Sequence, residues 1–337
     1  MKLISLPKLD LNVTNKCNFR CIHCAFDSGI IKMKELSLKK ITEILKETKE
    51  LGGKRFDITG GEPLLRKDIE KIIKIGKKLD YKIELVTNGS LLNKTRLKKF
   101  KRLGLDSIAI SLDGSTPEIY NKIRKKDRKT FYKIVKNIKE SKRLGFYTKI
   151  NTAVFNCNLN DIPAITELAL KFNVNEHGIY YFTPIGRGTR TEEMSVEPLK
   201  WLRFIRKNSS AHIKKNIRIT MEFPLIEKNS WNRNLGCIAN KEKSHLQILP
   251  DGNVYPCAIL ASYNLPVANL HKCSIKNLWN NELLWKKYWE KIHPIFKKYN
   301  GSCVNFRSSF NVENYRKKGY CFVCPLRKFE LGRQNEH

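Results

Sequence analysis

The sequence predicts an α/β fold: an open, TIM-like partial barrel followed by a small Cys-rich, metal-cluster-stabilised C-terminal domain. Three observations predict it. Short apolar strand segments alternate with amphipathic helical segments, the pattern of parallel βαβ units with right-handed crossovers. Six such units can be counted up to residue 183, too few to close an eight-stranded barrel. The ten cysteines are grouped, three near the start, six after residue 236 and Cys157 alone between. The later group lies where apolar periodicity fades, so metal rather than core is expected to hold that region.

Lys8 to Thr14 alternates Leu9, Leu11 and Val13 and reads as the first strand. It runs into a loop carrying Cys17, Cys21 and Cys24. Leu38, Ile41, Ile44, Leu45 and Leu51 then recur at helical spacing, stopped by Gly52-Gly53. Arg55 to Thr59 is the second strand and ends in Gly60-Gly61-Glu62-Pro63. A helix over 67–78 leads to the third strand, Lys82 to Thr87, ending in Asn88-Gly89. Helix 93–103, strand 105–112 closing on Asp113-Gly114, helix 130–144, strand 146–154, helix 161–171 and strand 177–183 complete the series. Each strand runs into a polar or glycine-rich turn, so the informative residues gather at the strands' C-terminal ends, where barrel active sites are built.

Gly186 to Pro198 is polar and reads as a linker. Residues 199–235 hold one amphipathic helix and an extended segment over Ile217 to Glu222. Beyond Gly236, Pro250-Asp251-Gly252 is a turn between two strands. Trp279, Trp285 and Trp289 are expected on one packing face of a helix. His177, His212, His245 and His293 are isolated, and surface or hydrogen-bonded roles are expected for them. No residue is marked as a general acid or base; Glu222, Asp251 and Tyr255 are only nearby by order.

The chain has 337 residues, 41% of them hydrophobic, ample for a buried core. No apolar run is long enough to span a bilayer and no signal-peptide pattern opens the chain. A soluble cytoplasmic protein without membrane contact is expected, with thiols in a reducing compartment where clusters of them serve metals. Lys+Arg is 65 against 32 for Asp+Glu, a formal charge of +33. Solvated basic helix faces account for part of this. The remainder should attract an anionic partner: RNA, an acidic peptide or an acidic electron-transfer protein.

Three thiolates are an incomplete set for structural zinc or a closed iron–sulfur cluster. Either a further residue completes the site, with His23 the near candidate for a zinc knuckle, or one position stays open for chemistry. At this point the chain resembles the radical S-adenosylmethionine (SAM) superfamily, whose signature is C-x3-C-x2-C after the first strand. The resemblance implies that Cys17, Cys21 and Cys24 bind three irons of a [4Fe–4S] cluster. The fourth iron chelates SAM, and one electron cleaves it to a 5′-deoxyadenosyl radical that abstracts a substrate hydrogen. Gly60-Gly61-Glu62-Pro63 matches the family's GGEP segment. Thr87-Asn88-Gly89 and Ser111-Leu112-Asp113-Gly114 match segments lining the SAM pocket. Arg124, Asn151 and Pro184-Ile185-Gly186-Arg187 resemble pocket positions at later strand ends. The implied SAM-binding residues are Gly60, Gly61, Glu62, Pro63, Asn88, Ser111, Asp113, Arg124 and Asn151. The likeness covers residues 8–187 and implies a partial (β/α)6 barrel.

Cys237…Pro250-Asp251-Gly252-Asn253…Cys257 resembles the opening of the SPASM/twitch extension, which carries auxiliary iron–sulfur clusters. Val267 to Leu270 and Ser274 to Trp279 resemble its connector. The chain then has Cys321-Phe322-Val323-Cys324 instead of the full cysteine series. The resemblance therefore implies one auxiliary [4Fe–4S] cluster on Cys237, Cys257, Cys321 and Cys324, with zinc as the alternative metal. Cys303 is a possible substitute ligand, and Cys273 and Cys157 are expected as buried or free thiols. The expected organisation is a radical SAM barrel over 1–187, a linker and bridging segment over 188–235, and the auxiliary cluster domain over 236–337. Oxidative modification of an anionic substrate is implied, first a peptide or protein, second a tetrapyrrole or other cofactor precursor. Anaerobic conditions and a low-potential donor such as ferredoxin or flavodoxin go with it. The barrel is expected to begin almost at Met1, without a peptide-recognition domain ahead of it, which counts against the peptide reading. A metal-stabilised RNA-binding protein is not favoured, since it has no use for the open three-cysteine set or the GGEP segment.

Overall fold

The computed structural model describes residues 8–213, 217–222, 225–228, 245–297, 312–322 and 328–331. Its frame is one sheet. Strands β1 (Leu9–Asn12), β2 (Arg55–Thr59), β3 (Lys82–Thr87), β4 (Ser107–Ser111), β5 (Tyr147–Val154) and β6 (Glu176–Tyr181) are neighbours in chain order and all parallel. Between them run α1 (Leu38–Glu50), α2 (Ile69–Lys78), α3 (Lys94–Arg102), the pair α4 (Pro117–Arg124) and α5 (Arg128–Arg143), and α6 (Ile162–Lys171). The partial barrel expected from the strand count is present. Helix α4 left no periodic signal because it is only two turns long. Its start is nonetheless marked by Thr116, which accepts from the Ile119 N–H, and by Pro117 in the first turn.

Period-two alternation divides each strand between two environments. Leu9, Leu11, Phe56, Ile58, Ile83, Leu85, Ile108 and Ile110 are all but inaccessible and belong to one apolar cluster with Ile41, Ile44, Ile72, Phe100 and Ile134 of the helices. Each such side chain contributes about 1.5–3 kcal/mol of burial, so the core lies between sheet and helices. The alternate positions face inward and are polar: Lys8, Asp10 and Asn12 on the first strand, Arg55, Asp57 and Thr59 on the second. His177 is a satisfied core histidine, with the hydroxyls of Thr152 and Thr166 at 2.9 and 3.1 Å from its two ring nitrogens.

The sheet continues past the six units at both edges. Helix α7 (Pro198–Ile213) leads to β7 (Arg218–Glu222), parallel to β6, and β13 (Lys328–Leu331) lies antiparallel on β7. On the other side β9 (Leu246–Ile248) pairs parallel with β1. Strands β10 (Asn253–Tyr255) and β11 (Ala268–Asn269) follow antiparallel, with the expected Pro250–Gly252 turn joining β9 to β10. Strands β8 (Leu225–Glu227) and β12 (Tyr320–Phe322) form a separate pair.

Two expectations need correction. Gly186 to Pro198 is not a free spacer: residues Gly186–Met194 form a 3-10 stretch packed on the cysteine loop, as described below. The tryptophans sit on two helices, Trp279 on α9 (Ile275–Asn280) and Trp285 and Trp289 on α10 (Glu282–Lys297). Asn281 breaks the run, its side chain accepting from the Leu284 N–H at 2.9 Å. The packing role holds, since Trp279 and Trp285 are buried edge to face with centroids 6.3 Å apart. Among the described residues, no helix is long and apolar enough to cross a membrane.

Candidate active site

The cysteine loop lies at the C-terminal ends of the strands and is gripped by several of them. The turn after β2 holds its start: Gly61 N–H donates to Thr14 O and Glu62 N–H to Lys16 O, both at 2.8 Å. A Cβ on Gly61 would stand 2.3 Å from the Lys16 carbonyl oxygen, and one on Gly60 would stand 2.4 Å from that of Thr14. The close approach that demands these glycines is therefore to the backbone leading into Cys17. The Glu62 carboxylate is wholly buried and accepts from the Thr87 hydroxyl (2.7 Å), Asn88 N–H (2.8 Å) and Leu64 N–H (3.1 Å). It ties the end of β2 to the end of β3 and leaves no exposed oxygen; Pro63 is buried beside it.

Further clamps come from the later strand ends. Asn88 donates to Asn18 Oδ1, and Asn18 donates to Ser90 Oγ, both at 2.9 Å. Arg187 reaches back across the mouth, donating to Cys21 O (3.0 Å), Ser28 O (3.2 Å) and Asp27 Oδ1 (3.0 Å). Gly186, at φ +55°, sits where a Cβ would be 2.3 Å from Ala25 O, so only glycine lets this segment close on the loop.

Backbone and side-chain donors converge on the three sulfurs. Phe19 N–H points at Cys17 Sγ (3.4 Å), Ser28 N–H at Cys24 Sγ (3.2 Å) and the Arg124 guanidinium at Cys21 Sγ (3.7 Å). Burial pushes the Cys17 thiol up to about 11 and raises that of Cys21, outweighing the attraction of Arg124. Such thiols stay protonated until a metal displaces the proton. Arg124 also pairs with Asp113, whose other oxygen accepts from Ala153 N–H at 2.8 Å. Asp113 is fully buried, so this pair is an internal strut between the end of β4, the end of β5 and Cys21. Ser111 ends β4 opposite Asn151 of β5. His23 does not join the thiols: its Nε2 is 3.9 Å from Asp113 Oδ2 and its ring packs tilted against Phe155, with centroids 5.3 Å apart. Burial pushes its pKa down to about 4, with Arg124 adding to the effect, and its Nδ1 is buried without a hydrogen-bond partner. Three thiols supplied with N–H donors beside an uncommitted buried nitrogen fit a cluster with a polar ligand next to it.

Of the C-terminal cysteines, Cys257 is buried at the start of α8 (Ala258–Ser262). Cys321 lies on β12, in register with Ile226. Cys237, Cys303 and Cys324 lie outside the described residues. Cys273 donates to Asn269 O at 3.6 Å, and Cys157 packs with Phe155 and Phe182.

Below the loop the barrel encloses a cavity of about 860 Å³. A series of opposite charges lines it, drawn from every strand of β1 to β7 except β4. His245 Nε2 meets Asp10 (2.9 Å); Lys8 bridges Asp10 (3.1 Å) and Asp57 (3.0 Å); Arg55 bridges Asp57 (3.2 Å) and Glu84 (3.3 Å). Lys149 then bridges Glu84 (2.8 Å) and Glu176 (3.5 Å), and Arg218 closes on Glu176 at 3.9 Å. With Glu222 the lining holds five carboxylates and four Lys or Arg, besides His245. The formal +33 of the chain is therefore carried outside the barrel. Asn151 lines this cavity, and Tyr180 donates to its Oδ1 at 3.3 Å. The hydrogen-bonded role expected for His245 holds, but this charge series and the place of His245 in it were missed by sequence reasoning. The signal was available as the polar half of each alternating strand, Arg55-Phe56-Asp57-Ile58-Thr59 being typical.

Fold and site together define a class. Residues 11–169 match the Radical SAM superfamily and residues 237–325 match SPASM, an iron-sulfur cluster-binding domain. The chain is a radical SAM enzyme with a C-terminal SPASM domain. This pairing implies a SAM-binding [4Fe–4S] cluster, SAM and an auxiliary iron–sulfur cluster. The chain is 23% identical over 294 residues to the AdoMet-dependent heme synthase of Methanosarcina barkeri, covering 82% of each. It is 33% identical over 193 residues to a probable GTP 3',8-cyclase of Methanococcus maripaludis, spanning 56% of this chain and 63% of that protein. Its fold is similar to Streptococcus suis SuiB, with a TM-score of 0.70 at 17% identity over 85% of this chain and 68% of that one. SuiB is also known bound to its precursor peptide SuiA.

Proposed function

We propose that this enzyme oxidatively modifies a peptide or protein, acting as a maturase. When bound at Cys17, Cys21 and Cys24, a reduced [4Fe–4S] cluster supplies one-electron cleavage of SAM and hence hydrogen abstraction. The residues around it hold the three thiols in place: Gly60, Gly61 and Glu62 from below, Asn88 through Asn18, and Arg124 anchored by Asp113. Ser111 at the end of β4 and Asn151 opposite it within β5 are the residues we assign to SAM or substrate contact. Cys237, Cys257, Cys321 and Cys324 are the proposed ligands of the auxiliary cluster. We assign 1–187 to the catalytic barrel, 188–235 to a bridge and 236–337 to the auxiliary cluster domain.

The observation that carries the choice of substrate is the charge balance of the cavity. Its cations are already paired, and the rest of its lining includes Asn12, Thr59, Asn151, Tyr180, Thr220 and Gln247. Amides and hydroxyls suit a peptide group, which needs donors and acceptors but no countercharge. A polycarboxylate enclosed there would need unpaired cations. The external basic charge suits an acidic stretch of the same substrate lying on the surface. The second reading, a tetrapyrrole or other cofactor precursor, is favoured by one observation: the similarity to the heme synthase runs through most of both chains. The test is anaerobic reconstitution with SAM and reductant, adding either candidate peptides or a tetrapyrrole precursor. Stimulated 5′-deoxyadenosine release with hydrogen lost from a peptide, read by mass spectrometry, supports the first reading. Stimulation by the tetrapyrrole alone overturns it.

A further inference from the structure

The cysteine loop has an outer face that none of the clamps uses. Gly29 is pressed against the loop's first cysteine: its N–H donates to Asn15 O at 2.7 Å, and a Cβ on it would stand 2.8 Å from Cys17 O. Arg20 pins the same glycine from the other side, donating to Gly29 O at 2.7 Å. Asn15 Nδ2 donates to Ile31 O at 2.8 Å. Ile30 and Ile31 are thereby fixed one layer of chain from Cys17, yet they are 55% and 49% exposed. Two adjacent exposed isoleucines held in a rigid loop mark a contact surface more than a solvated one. Around them Lys16, Arg20, Lys32 and Lys34 are exposed. Of the segment's acidic residues, Asp27 pairs with Arg187, while Glu35 accepts from the Thr14 hydroxyl and lies 3.7 Å from Lys16 Nζ, so it offsets one of these four cations. An apolar centre rimmed by cations is complementary to an acidic partner with an apolar contact point.

We propose that this face docks an acidic, ferredoxin-type one-electron carrier, which delivers its electron to the centre held by Cys17, Cys21 and Cys24. The inference rests on the radical SAM reading, whose chemistry needs an external electron. The carrier is oxidised by one electron and the iron–sulfur centre is reduced by one; no bond forms or breaks and no proton moves. At this face the Gly29–Ile31 turn, hydrogen-bonded to Asn15, lies next to the chain leading into Cys17.

The test uses the reconstituted holoenzyme and a reduced plant-type [2Fe–2S] ferredoxin as probe. Two variants are compared with wild type, Ile30→Glu and the charge variant Lys32→Glu/Lys34→Glu, each checked for full iron content. Ferredoxin affinity is read by interferometry and cluster reduction by stopped-flow absorbance, with dithionite as the small reductant. The expected result is about a tenfold or greater loss in ferredoxin-driven reduction at low salt. The loss for the charge variant should shrink as salt shortens the Debye length, and dithionite reduction should stay at the wild-type rate. Unchanged ferredoxin reduction in both variants overturns the proposal, as does an equal loss with dithionite. A wild-type enzyme that accepts the ferredoxin electron but leaves SAM intact refutes the functional reading while the docking result stands.

Discussion

Replacing Gly61 by alanine tests whether the GGEP turn serves the cysteine loop. The new Cβ would stand 2.3 Å from Lys16 O and 3.0 Å from Asn15 O, whereas ordinary contact begins at 3.4 Å. The obstructing atoms are backbone, so the loop must retreat by roughly 1 Å, which no rotamer change can avoid. Two buried hydrogen bonds, Gly61 N–H to Thr14 O and Glu62 N–H to Lys16 O, lie across that gap. Breaking or stretching such bonds costs about 1–3 kcal/mol each, so the expected loss of stability is about 2–6 kcal/mol. The displacement falls at the residue before Cys17, so iron binding should suffer together with stability. The assay pairs urea denaturation with iron content after anaerobic reconstitution. A Gly61→Ala protein with wild-type stability and full iron at Cys17, Cys21 and Cys24 would refute the reasoning.

Other outcomes follow from the same geometry. Arg124→Gln leaves Asp113 buried without its partner and should destabilise the fold by about 3–5 kcal/mol; Arg124→Gln/Asp113→Asn should recover part of that loss. Where Arg124→Gln still folds and takes up iron, losing the donor at Cys21 Sγ should lower the cluster potential, read by EPR-monitored titration. Cys21→Ala should abolish SAM cleavage, whereas Cys257→Ala should spare uncoupled cleavage and block product, both measured as 5′-deoxyadenosine and product yield. Burial raises the Asp10 carboxyl, but the charges of His245 and Lys8 outweigh that and hold it well below the usual carboxylate range. A depressed folded-state value stabilises the protein above about pH 4 and loses that contribution as pH falls further. His245→Ala should therefore move acid unfolding, followed by circular dichroism, to higher pH.

The fold was legible because its signals are local and repeated. Leu9, Leu11 and Val13 or Phe56 and Ile58 alternate over the length of a strand, and helices such as α1 carry a full apolar stripe. What the sequence hid depends on long-range contact. The glycines of the GGEP segment announce a close approach, yet nothing in the sequence says that the approach is to residues 14–16, more than forty positions earlier. Arg187 and Cys21 are 166 residues apart, and polar composition around Arg187 suggested a linker where the fold uses a clasp. His245 looked isolated because its partner, Asp10, is 235 residues away. The joining of this edge to the barrel was hidden for the same reason: β9 is three residues long, and besides its hairpin with β10 it lies parallel to β1, more than 230 positions away.

The polar interior is the feature that turns this fold into a container. A closed eight-stranded barrel fills its centre with layers of branched apolar side chains. Here inward positions of β1, β2, β3, β5, β6 and β7 carry charge, and the desolvation that would penalise them singly is offset by ion pairs that link them along and across the strands. Such a lining cannot pack dry, so it keeps about 860 Å³ of space beneath the cysteine loop. It also fixes what that space can bind. A charged guest must compete with an ion pair already formed, whereas a neutral amide or hydroxyl can hydrogen-bond without breaking one. On the proposed peptide reading, the barrel selects against the very anions that its basic exterior attracts. A substrate that satisfies both has its anionic part outside and its reacting part uncharged.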